Sequence, residues 1–133
     1  QRTTKVPYFP HLILDIIEVN MDVLMVLKGI AAVATIATGL LALVKPTAVY
    51  GFIGLNANGV RGVSEIRAIF GGLFIALGVL PFFLGPVAYQ VLGFTYLGIA
   101  AARAFSVVFD KSYAQSNLIS LGTEIVLGII LIV

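Results

Sequence analysis

The chain has no cysteine, no tryptophan and a single histidine. Without cysteine there can be no disulfide, no thiolate nucleophile and no Cys-ligated zinc or iron–sulfur centre. One histidine cannot supply a multi-histidine metal site within one copy. Charge is also scarce, at 11% of 133 residues with a net of +2. The basic residues stand singly, without the cluster that a nucleic-acid or polybasic lipid site needs, so no nucleic-acid partner is expected. Ser64, Ser106 and Thr123 have no histidine base close in sequence, so nucleophilic catalysis finds no support and the chain reads as a non-enzyme. Gly54, Gly59 and Gly62 are not a nucleotide loop, because no strand precedes them and no Gly-Lys-Ser/Thr follows.

What the chain has instead is apolar length. Hydrophobic residues make up 60% of it, and stretches of about 20 of them suit a bilayer core rather than a water-facing domain. The expected fold is all-α: a membrane-embedded antiparallel four-helix bundle preceded by an N-terminal amphipathic helix lying in the interface. Residues 1–22 form the tail and that interfacial helix; residues 23–133 form the bundle, with spans at about 23–44, 64–84, 87–109 and 118–133.

Pro7 and Pro10 argue against helix before His11. From there His11, Asp15, Glu18 and Asp22 fall at i, i+4, i+7 and i+11, one polar stripe opposite Leu12, Ile13, Ile16 and Ile17. The stripe is acidic, which disfavours an anionic lipid surface and suits a partner protein; a solvated first turn of the next helix is the plainer alternative. His11 and Asp15 have metal-pair spacing, but a lone interfacial histidine is more often simply solvated. The chain opens on Gln rather than Met, so a removed leader or a longer parent chain is expected, and targeting information is missing rather than absent.

In the first span, small residues recur every four positions as Ala31, Thr35, Gly39 and as Ala34, Thr38, Ala42, a spacing that lets backbones approach closely in lipid. Lys28 can snorkel toward the headgroups. Lys45-Pro46 stops the helix, and Ser64 is the expected N-cap of the second. Pro81 should kink or end that helix, and Gly85-Pro86 makes a tight hairpin to the third. Up-down topology puts both termini on one side, and the positive-inside rule weakly places the 45–62 loop inside. A bacterial inner membrane or a thylakoid fits this arrangement.

Four charges enter the spans. Glu65 and Arg67 open the second; Arg103 lies about six residues before the end of the third, and Glu124 about six after the start of the fourth. At 1.5 Å per residue the last two sit roughly 9 Å inside the same face of the membrane. Two acids and two bases form a neutral set, which makes ionisable groups tolerable in hydrocarbon. Cross-helix pairs among Glu65, Arg67, Arg103 and Glu124 are therefore expected. They could simply lock the bundle. They could also border a polar pocket, open toward Asn56, Asn58 and Arg61, for a lipid headgroup, quinone or small solute. A carboxylate there could alternatively offer an oxygen to a chlorophyll magnesium, although the Glu-to-Arg spacing of light-harvesting helices is absent.

The pattern Glu65-x-Arg67-Ala68-x-x-Gly71-Gly72, followed by Arg103 and Glu124 in the next two helices, resembles a family of small four-helix membrane proteins of unknown function, distantly similar to DoxX-type proteins. The resemblance covers roughly residues 23 to 133 and implies the fold but no activity. The functional expectation is a non-catalytic accessory or structural subunit. It would pack against a larger membrane complex, such as a photosystem or respiratory one, or assemble as a homo-oligomer. The alternative is a membrane protein that binds a lipid, quinone, pigment or small molecule at the charge cluster.

Overall fold

A computed structural model describes residues 9–133, apart from the side chains of residues 9–14, 16 and 52. It is an antiparallel four-helix bundle with no strand among the described residues. The spans are α1 (Phe9–Val44), α3 (Gly59–Leu84), α4 (Pro86–Phe109) and α5 (Gln115–Ile132), and a short α2 (Tyr50–Ile53) lies in the first loop. Each span is long and apolar enough to cross a membrane, and the chain is an integral membrane protein. The face carrying α2 is called the loop side below; the opposite face, where α3 turns into α4, is the terminal side.

Three boundaries differ from expectation. α1 passes through residues 22 and 23 without a break, so the acidic segment and the first span are one rod of 36 residues. α3 starts at Gly59, behind Asn58, so Ser64 sits inside the helix and caps nothing. Pro81 neither ends nor interrupts α3, which continues to Leu84. The chain then reverses through Gly85 alone, whose φ of 69° suits a residue without Cβ, and Pro86 opens α4 with its ring already set to a helical φ.

Arg67–Leu73 of α3 is π-helical rather than α-helical. The reason is visible in the packing register. Ile66 and Gly71 are both buried, five residues apart, and Gly78 and Pro81 then follow at seven and three. An unbroken α-helix would carry the stripe from Ile66 to position 70 and turn Gly71 and Gly78 aside. One extra residue in the turn keeps Ile66, Gly71 and Gly78 on α1.

The helices approach where side chains vanish. A Cβ added at Gly78 would lie 2.8 Å from the Ala32 carbonyl oxygen and 2.7 Å from Ile36, and one at Gly39 would lie 2.9 Å from the Gly71 carbonyl oxygen. α4 and α5 meet in the same way, with an added Cβ at Gly93 falling 2.9 Å from Leu131 Cβ and 3.0 Å from the Gly128 carbonyl oxygen. On α1 the buried face is Ala31, Ala32, Thr35, Gly39 and Ala42, while Ala34 is exposed. Without water to drive apolar association, such close van der Waals contact is a principal source of cohesion between spans. The α1–α3 and α4–α5 pairs join at a cluster of Ala31, Ala32, Tyr89, Leu92 and Leu131, and through a 2.7 Å hydrogen bond between the Thr35 and Tyr96 hydroxyls.

Gly78→Ala should therefore lower the thermal midpoint, at a cost of about 1–3 kcal/mol from overpacking. Gly98→Ala, where nothing lies within 4 Å of the new Cβ, should be neutral or gain up to about 1 kcal/mol in helix propensity. Thermal melts of both variants followed by circular dichroism check this; equal midpoints would mean that the close approach contributes nothing.

Candidate functional site

Of the four expected charges, the fold brings two together. Arg103 on α4 and Glu124 on α5 form an ion pair in which guanidinium Nη2 donates to Oε1 at 2.6 Å and Nε donates to Oε1 and Oε2 at 3.0 and 2.8 Å. The antiparallel register set by Gly93 and Gly128 delivers them to the same depth. Arg103 Nη1 donates to Asn117 Oδ1 at 2.5 Å, and Asn117 Nδ2 donates in turn to the Ser112 carbonyl and hydroxyl at 3.0 and 3.1 Å. Lys111, at φ 55°, supplies the left-handed turn after α4 that brings Ser112 back to this position. The result is a charge-assisted chain running from the membrane interior to the α4–α5 turn.

Glu65 and Arg67 do not join it. Both are exposed, and neither forms an ion pair among the described residues. They flank Ile66, which points into the bundle, so each is turned about 100° away from the packed face. The expected four-residue cluster is thus corrected to one pair. Asn56, Asn58 and Arg61 are likewise exposed and do not line the cavity described next.

A polar cavity does lie beside the pair, in a different place from the one expected. It measures about 210 Å³ and is lined by Ile53 and Gly54 from the end of α2, by Arg103, and by Ser112, Ser116, Asn117 and Ser120 around the start of α5. These serines were assigned no role from sequence; the spacing of Ser116 and Ser120, four apart on one face of α5, was the available signal. Arg103 has five N–H donors, and its contacts to Glu124 and Asn117 engage three of them, leaving one on each terminal nitrogen. Glu124 is 8% exposed, and both of its oxygens accept from Arg103.

The architecture and the motif now meet one comparison. Residues 23–133 match a domain of unknown function, DUF4345. The chain belongs to the DUF4345 family. No curated protein and no solved structure matches it. Within this DUF4345 chain, the match covers all four spans from Val23 onward and leaves the acidic start of α1 outside it. Asp15, Glu18 and Asp22 of that segment are exposed, and no described residue forms an ion pair with them; the side chain of His11 lies outside the described residues. No group of three metal-ligating side chains occurs among the described residues.

Removing one member of the pair strands the other in a low-dielectric setting. Glu124→Gln should cost about 2–3 kcal/mol, below the value for a fully buried pair, because the Arg103 side chain keeps 29% of its exposure. A double-mutant cycle of Arg103→Ala with Glu124→Ala should show coupling above about 1 kcal/mol, and the same cycle with Glu65→Ala should show none. Denaturation of the six proteins of the two cycles in one detergent measures both.

Proposed function

We propose that this DUF4345 chain is a non-catalytic membrane protein that binds the polar head of a small amphiphile in the cavity beside Arg103. The observation that carries the reading is the pairing of unspent guanidinium donors with a cup of three serines and an asparagine at the loop-side end of the spans. Donors dominate there, so the matching chemistry is an acceptor: a quinone carbonyl or a phosphoester oxygen. At about 210 Å³ the space is below the roughly 300 Å³ at which pockets begin to enclose a whole drug-sized ligand. A headgroup fits it, with the attached chain running out past Ile53 into lipid. Pairing with Glu124 keeps the site neutral overall, so recognition is by directed hydrogen bonds more than by net charge.

A second reading, an accessory subunit of a larger membrane complex, draws support from the exposed acidic stripe of Asp15, Glu18 and Asp22, which has no ion-pair partner among the described residues. A photosystem or respiratory assembly is one partner of this kind. Kinship with DoxX-type proteins is a further proposal, resting on the pattern Glu65-x-Arg67-Ala68-x-x-Gly71-Gly72 followed by Arg103 and Glu124.

The deciding experiment is purification from the native membrane in mild detergent, with mass spectrometry of what accompanies the protein. A retained quinone or phospholipid that is lost in Ser120→Leu, which fills the cup without touching the ion pair, is the expected result. Unchanged retention in that variant overturns the cavity reading. If the protein instead travels in fixed ratio with a large complex, deletion of residues 1–22 should release it; persistent association would remove the docking role of the stripe.

A further inference from the structure

Lys28 lies on the packed face of α1, one turn before Ala31 and Ala32, and is 9% exposed. Its ammonium forms no hydrogen bond or ion pair among the described residues. Tyr89 on α4, 7% exposed, packs in one cluster with Ala31, Ala32 and Leu131, and its hydroxyl has no hydrogen-bond partner among the described residues either. Two neighbouring helices thus each bury a polar side chain whose tip is unspent. Among the described residues, no side-chain nitrogen or oxygen is both sealed and unbonded. The ammonium and the phenol therefore each keep an opening to the outside.

That opening faces the terminal side. Side chains on a helix lean toward its N-terminus, and α1 and α4 both begin on that side. Counting from Val44, Lys28 sits roughly 24 Å along the rod, inside a hydrocarbon layer about 30 Å thick. Its exposed neighbours Met25, Val26, Leu27 and Ile30 are apolar, so acyl chains surround the approach.

The charge balance asks for an anion. Of the Asp, Glu, Lys and Arg side chains along the spans, those not exposed are Lys28, Arg103 and Glu124; the last two pair with each other, which leaves Lys28 without a counter-charge. The nearest acid of α1, Asp22, stands six positions away on another face of the helix and is exposed.

We infer that Lys28 and Tyr89 form a binding site for the singly charged headgroup of an anionic phospholipid in the terminal-side leaflet. The ammonium supplies the counter-charge and the phenol O–H a second donor to the phosphodiester oxygens. The site is separate from the loop-side cavity and does not depend on it.

The test uses the full chain reconstituted in vesicles of equal phosphatidylglycerol and phosphatidylcholine, extracted gently, with retained lipids counted by native mass spectrometry. The wild type should hold phosphatidylglycerol over phosphatidylcholine by about tenfold. Lys28→Gln should lose the preference and Lys28→Arg should keep it. Ser120→Leu, which blocks only the loop-side cup, should leave it intact. An equal ratio in the wild type, or an unchanged ratio in Lys28→Gln with its circular dichroism intact, overturns the site. Displacement of the lipid by inorganic phosphate would show a free-anion site instead and overturn the lipid assignment; resistance to it supports the lipid.

Discussion

A guanidinium and a carboxylate can both remain ionised in hydrocarbon when they satisfy each other, and the loop-side half of this bundle is arranged around that condition. Bonding between Arg103 and Glu124 fixes the depth of α4 against α5. Asn117 extends the constraint to the α4–α5 turn, where Ser112 closes the chain of donors and acceptors. The serine cup follows from the same geometry, since the residues that face the guanidinium from α5 are one helix face. A purely apolar seam could hold the two helices together; it would not hold a polar cavity at this depth.

The ion pair could be anticipated by counting residues from the helix ends, because topology and a rise of about 1.5 Å per residue are enough to bring two opposite charges level. The same arithmetic placed Glu65 and Arg67 at the right depth and failed on direction. Their direction depends on Ile66 being the buried residue between them, and Ile66 becomes buried through a packing stripe that a 3.6-residue period does not reproduce. The π turn is the missing element: its extra residue is invisible to a periodicity argument and is fixed by how Gly71 and Gly78 meet α1. Local propensity misled at Ser64 and Pro81 for a similar reason. Tertiary contact along α1 outweighs a capping preference and the loss of one backbone hydrogen bond.

The two faces of the membrane present different chemistry. On the loop side the charges cancel and the remaining donors are directional, which suits selection by shape and hydrogen bonding. On the terminal side the Lys28 ammonium has no ion-pair partner among the described residues, which suits selection by sign. Between them the bundle is tied at mid-depth by Thr35 and Tyr96, a neutral bond that links the α1–α3 pair to the α4–α5 pair.

The continuity of α1 has a mechanical consequence. Its 36 residues make a rod roughly 54 Å long, well beyond the about 30 Å of a bilayer core. The surplus carries Asp15, Glu18 and Asp22, and no hinge separates them from the membrane-embedded part. A push or twist delivered to the acidic end would reach the Gly39–Gly71 contact undamped, as a lever acts through its fulcrum. Any molecule that grips this end therefore acts directly on the tilt and rotation of the first span, and through it on the packing of the second.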